Sequence, residues 1–150
     1  MQAVMKGDLP AVEDALKSGE DVNDLDRDGR TALFQAIVDG QFAIAKVLIQ
    51  QGANVNARDK SLETPLHFAA REQQVELGQL LLDNGAEINA MDSNGNTPLS
   101  RAVYSSQGRG EMIKLLLNRS ADKNLKNNYG VSPQDLANTI SNYDVKKFLQ

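Results

Sequence analysis

His67 is the only histidine in 150 residues, and the one side chain whose ordinary pKa suits acid or base work near neutrality. A general base needs a nucleophile or a substrate group within hydrogen-bond reach, and no matching acid–base motif accompanies it at a recognisable spacing. His67 therefore reads as structural. The chain has no cysteine, which removes thiol nucleophiles, disulfide frameworks and Cys-His zinc sites together. Asp26, Asp59 and Asp92 recur at one spacing and could suggest a carboxylate array for a metal. Units packed at the roughly 10 Å spacing of helices hold such groups too far apart to share an ion, so the aspartates read as turn formers. Gly108 and Gly110 could suggest a phosphate loop, but no Gly-Lys-Ser/Thr follows and no strand precedes, which leaves a long inter-helix loop. No catalytic residue, metal site or cofactor is expected.

Composition narrows the remaining classes. At 41% hydrophobic and 24% charged the chain matches globular averages, and its length suits one self-sufficient soluble domain with an aliphatic core, since aromatics are 5% and Trp is absent. The longest apolar run is residues 42–45, far short of the roughly 20 needed to cross a bilayer, so no membrane association is expected. Residues 1–9 lack the continuous apolar stretch of a signal peptide, and the lack of cysteine fits a reducing, cytoplasmic compartment. A net charge of −4 argues against general affinity for nucleic acid.

The elements that position these residues come from a repeat. Asp26-Arg-Asp-Gly-Arg-Thr-Ala-Leu33 recurs as Asp59-Lys-Ser-Leu-Glu-Thr-Pro-Leu66 and as Asp92-Ser-Asn-Gly-Asn-Thr-Pro-Leu99, each step being 33 residues. Gly52-Ala-Asn-Val-Asn-Ala57 recurs as Gly85-Ala-Glu-Ile-Asn-Ala90 after the same step, and as Ser120-Ala-Asp-Lys-Asn124 after 35. The two extra residues fall within residues 105–110. Gly19-Glu-Asp-Val-Asn23 lies 33 before Gly52, and residues 127–133 open a last, incomplete unit.

Each unit carries its own punctuation. Thr64-Pro65, Thr97-Pro98 and Ser132-Pro133 place a hydroxyl at a helix N-cap and a proline at the first helical position, where its missing N–H costs nothing. A first helix over about 65–72 is followed by a second that carries Val75, Leu77, Leu80 and Leu81 at helical spacing and stops at Gly85. Gly19 and Gly52 repeat that stop, and Ser120 must tolerate strain there. The stretches around Gly29, Gly95 and Gly130 read as tight turns projecting as β-hairpin fingers, with Leu62 in place of the corresponding glycine.

With these motifs in place, the whole chain resembles an ankyrin repeat protein, whose units approximate D-x-x-G-x-T-P-L-H-x-A-A … L-L-x-x-G-A-x-V-N. The match is best at Thr64-Pro-Leu-His-Phe-Ala-Ala70 and Leu81-Leu-Asp-Asn-Gly-Ala-Glu-Ile-Asn89. Phe34 and Ser100 replace the histidine, and Ala32 the proline. The resemblance implies an all-α solenoid of stacked helix-turn-helix units with β-hairpin loops, forming one domain over 1–150. Its units run roughly over 1–25 as an N-terminal cap, 26–58, 59–91, 92–126, and 127–150 as a C-terminal cap. It also implies that His67 bonds near the preceding threonine within the helix pair.

What the resemblance implies for function is a non-catalytic module that binds a partner protein through its concave face of fingers and first helices, with no enzyme activity. The family's usual contact positions fall here on Arg27, Asp28, Arg30, Val38 and Asp39, then Lys60, Ser61, Glu63, Arg71 and Glu72. In the fourth unit they are Ser93, Asn94, Asn96, Tyr104 and Ser105, and in the last Asn128, Tyr129 and Val131. Arg30, Arg71, Tyr104 and Tyr129 are the preferred anchors, because Tyr and Arg dominate many interfaces. The expected form is a monomeric stand-alone adaptor or inhibitor. The first and third units each hold two basic and six acidic residues, which keeps open an immunity- or antitoxin-like protein that covers a basic site. Because the first unit lacks a hairpin, a fragment of a larger scaffold is the other alternative.

Overall fold

A computed structural model describes all of residues 1–150. Nine α-helices follow one another: α1 (Gln2–Met5), α2 (Leu9–Lys17), α3 (Ala32–Val38), α4 (Phe42–Gln50), α5 (Pro65–Arg71), α6 (Val75–Asp83), α7 (Pro98–Tyr104), α8 (Glu111–Asn118) and α9 (Pro133–Thr139). A 3-10 turn, Lys146–Phe148, completes the chain. Each unit pairs its two helices, and equivalent helices of successive units pack in order, so α1, α3, α5, α7 and α9 form one layer and α2, α4, α6 and α8 the other. One hydrophobic core runs unbroken between the layers from Val4 to Leu149. This is the sequential stacking of a solenoid, in which each unit buries its apolar faces on its neighbours. No helix is long and apolar enough to cross a membrane.

Local chemistry sets the helix starts. Thr31, Thr97 and Ser132 accept hydrogen bonds from the backbone N–H groups of Phe34, Ser100 and Asp135, satisfying donors that the helices cannot satisfy themselves. The third helical residue returns the contact: Ser100 Oγ and Asp135 Oδ2 accept from the backbone N–H of Thr97 and Ser132. Where the repeat departs from histidine at this position, a hydroxyl or a carboxylate thus keeps the capping function. Phe34 does not; it is fully buried and meets Phe68 edge to face with ring centroids 4.9 Å apart.

The fingers between units are turns rather than paired strands. Each holds two backbone hydrogen bonds, one from the N–H of Asp26, Asp59, Asp92 or Asn127 to the carbonyl of Arg30, Glu63, Asn96 or Val131, and one from the N–H of Gly29, Leu62, Gly95 or Gly130 back to the carbonyl of that leading residue. The leading side chain holds the bend: Asp59 Oδ1 accepts from the N–H groups of Ser61 and Glu63, and Asp92 Oδ1 from those of Asn94 and Asn96. With both bonds confined to one five-residue bend there is too little ladder for a strand. The recurrent aspartates are therefore turn formers, and Asn127 serves the same role for the last unit.

Two positions with positive φ bear out the repeat alignment. Leu62 sits at φ 58, where the other fingers carry Gly29, Gly95 and Gly130, and its side chain is 47% exposed. Leu62→Gly is expected to stabilise the chain by roughly 1 kcal/mol, because little packing is lost and a Cβ is removed from a left-handed conformation. Urea denaturation checks this; a clear loss of stability would mean that Leu62 packs productively. Ser120, at φ 66, ends α8 where glycines end the earlier second helices. Gly78, in the middle of α6, is a packing residue instead: a Cβ there would lie 3.0 Å from Cε of the buried Met112 of α8.

A second series joins the units along the opposite loops. Asn23 Oδ1 accepts from the N–H of Asn54, Asn56 Oδ1 from that of Glu87, and Asn89 Oδ1 from that of Asp122. Asn23 and Asn56 also donate from Nδ2 to the carbonyls of Gly52 and Gly85. Each asparagine satisfies backbone groups of the following unit and so fixes the offset between neighbours.

The chain ends differently from the other units. No second helix follows α9; residues 141–150 fold back, with Val145 and Leu149 almost wholly buried. The loop that is two residues longer in the fourth unit receives this segment: Tyr143 lies against Gly108 and Phe148 against Gly110. Lys114 and Lys147 lie over the Phe148 ring, and Lys123 Nζ donates to the carbonyl of Leu149.

Candidate functional site: the concave face

His67 is fully buried. Its Nδ1 accepts from the Thr64 N–H at 3.1 Å and lies 2.9 Å from Thr64 Oγ1, which leaves the proton on Nε2, 2.9 Å from the Asn96 carbonyl. The imidazole thus caps α5 and ties the third unit to the finger of the fourth. Burial is the main cause that holds its pKa below the ordinary 6.5, with the nearby Arg101 and Arg58 charges acting in the same direction and the Asn96 bond and Asp92 opposing. A ring with both nitrogens engaged by the protein itself has no free edge for a substrate.

The middle of the concave face is an internal ion-pair network built on aromatic rings. Glu63, buried to 6% exposure, meets Arg71 at 3.3 Å and Arg101 at 3.0 Å, and Arg101 also meets Asp92 at 2.6 Å. Partial burial is the largest single influence on Asp92 and pushes its carboxyl up, but the backbone N–H groups of Asn96 and Asn94 and the Arg101 guanidinium together outweigh it and hold the pKa below the usual carboxylate range. Arg71 lies 3.9 Å above the Phe68 ring, and Arg30 lies 5.2 Å from Phe34 and 5.3 Å from Phe68 while facing Asp59 at 3.6 Å. Three of the sequence-predicted contact residues, Arg30, Glu63 and Arg71, are therefore already engaged within the chain.

The others divide by place. Arg27, Asp28 and Lys60 are exposed at finger tips, Asp39 is exposed at the end of α3 and accepts from Gln35, and Glu72 is exposed at the end of α5 beside Arg71. Asn96, Tyr104 and Tyr129 come together: they line one cleft of about 300 Å³ between the fourth and last units, with Ser100, Arg101, Val131 and Leu136. Both tyrosines are conspicuous, at 75% and 76% exposure. A second cleft shares Tyr104 and Leu136 and continues past Ile140 to Tyr143. Tyr143 is a residue that sequence reasoning placed only in the terminal cap. The available signal was distribution, since all three tyrosines of the chain fall in its last 47 residues. A cavity of about 330 Å³ at the other end, walled by Val4, Val12, Leu16 and Leu48, brings none of the expected contact residues together.

Stacked helix pairs joined by closed turns agree with the family to which the chain is similar. A family described as ankyrin repeats (3 copies) matches residues 1–92 and 63–127. No curated protein matches the chain. Ankyrin repeats are generally protein–protein interaction modules and typically non-catalytic. With the match running over residues 1–127 of 150 and the helix pairs stacked in register, the chain belongs to the ankyrin repeat family.

Proposed function

We propose that the chain is a non-catalytic binding protein that holds a partner protein on the face made by its fingers and first helices, as an adaptor or inhibitor. The observation that carries this reading is the exposure of Tyr104 and Tyr129 on that face, at 75% and 76%, beside a network of buried charges that keeps the face rigid. Large aromatic side chains held on a preorganised scaffold lose little freedom on binding and contribute much of the energy of an interface. Protein partners fit this surface better than nucleic acid, since the chain carries a net −4.

An inhibitor that works by acidic charge alone has less to use than the composition suggests. Of the six carboxylates in the third unit, Asp59 and Glu63 are buried and matched by Arg30, Arg71 and Arg101. Capture of a partner from the source cell, followed by rebinding to Tyr104→Ala, Tyr129→Ala and Glu72→Ala variants, tests the interaction reading. Weakening by substitutions on the concave face and indifference to substitutions on α4 or α6 is the expected pattern. Equal binding by every concave-face variant, or turnover of a small compound by the purified chain, overturns it.

A further inference from the structure

We infer that the groove across the fourth and last units is a docking site for an extended, uncharged, proline-bearing segment of the partner. The inference rests on the interaction reading above and specifies its partner.

The two clefts adjoin at Tyr104 and Leu136, which line both, and together they make a channel from the fingers, past the flanks of α7 and α9, to the segment after α9. Tyr129, Tyr104 and Tyr143 stand along it in that order, at 76%, 75% and 47% exposure, with Val131, Leu136 and Ile140 as the aliphatic part of a lining otherwise made of Ser, Thr, Asn and Gln side chains and Arg101. A channel of this form suits an extended chain rather than a globular knob. No strand borders it, so an extended peptide cannot join by adding to a sheet edge and must be held through its side chains and carbonyls.

Charge selects among extended segments. In a chain with 20 acidic residues, none lines the channel, and its one charged lining residue, Arg101, is already matched by Glu63 and Asp92. A strongly acidic or basic peptide would therefore gain no counter-charge there and would lose hydration. The channel instead supplies donors. Asn96 Oδ1 accepts from Asn127 Nδ2, and no hydrogen bond within the chain takes up the Asn96 amide N–H groups or the hydroxyls of the exposed tyrosines. These free donors suit the carbonyls of a ligand, and the three exposed tyrosine faces suit flat apolar rings. Proline has that chemistry: its ring lies flat on tyrosine, it has no N–H, and its extended helix is formed before binding.

The test uses the full chain and a fluorescein-labelled ten-residue peptide of repeated Pro-Pro-Leu, followed by anisotropy. Saturable binding is expected, weakened at least tenfold when every proline is replaced by glycine. Tyr104→Ala or Tyr129→Ala should also weaken it at least tenfold, and Tyr129→Phe should weaken it less than Tyr129→Ala, because the ring face stays while one donor is lost. Raising salt from about 50 to 500 mM should change the affinity less than twofold. No saturation at millimolar peptide, or equal binding of the glycine peptide, overturns the inference. So does binding that a Glu-rich or Lys-rich ten-residue peptide matches. If a captured partner binds through the concave face yet is unaffected by Tyr104→Ala, the proline inference falls while the interaction reading stands.

Discussion

Replacing His67 by alanine is expected to lower the free energy of unfolding by about 3 kcal/mol, through a buried cavity and through polar groups left without partners. The Thr64 N–H and the Asn96 carbonyl both lose their partner, and they belong to different units. The pH dependence should change with it. Burial depresses the pKa of the folded state below 6.5, so below that pH the unfolded chain binds a proton that the folded chain refuses. This share of stability is complete above about pH 6.5 and is lost as the pH falls through the folded-state value. Urea midpoints for both proteins at about pH 7.5 and pH 5.5 measure the two effects together. A loss under about 1 kcal/mol, or an unchanged slope, would show that the ring fills space without linking the units.

Gly110→Ala should cost about 2 kcal/mol and confine its damage to one end of the molecule. A Cβ at Gly110 would lie 2.6 Å from Cδ1 of Phe148 and closer still to Cε1, so the ring must leave its seat. Leu149 and Val145, buried beside it, would loosen with it, and α9 would lose part of its cover. In a stack where each unit touches only its neighbours, α3 to α6 should keep their protection. Hydrogen exchange is the direct measurement: faster exchange in residues 133–149 alone is expected. Uniform loss across the chain, or none, would contradict the seating of Phe148 as the lock on this end.

Much of the architecture could be read before any coordinates because it depends on short-range chemistry. Threonine or serine followed by proline marks the start of α5, α7 and α9, and the strain foreseen at Leu62 and Ser120 is present as positive φ. Contacts that join residues some 30 positions apart were less accessible. The asparagine series at 23, 56 and 89 was visible as a motif, but its role depends on which backbone groups a neighbouring unit presents. The same limit applied to the concave face. Arg30 and Arg71 resembled free anchors until Phe34, Phe68, Asp59 and Glu63 were placed around them. Fingers expected as hairpins proved to be five-residue turns, because two bonds within a single bend leave no ladder for a strand.

The asparagine series also gives each joint a direction. Every clasp is offered by the earlier unit and taken by backbone atoms of the later one, so it does not depend on which side chains the later unit carries. A cassette of one full period could therefore be copied or exchanged within the row without rewriting its junctions, whereas a cut that parts an asparagine from its loop would unfasten two units at once.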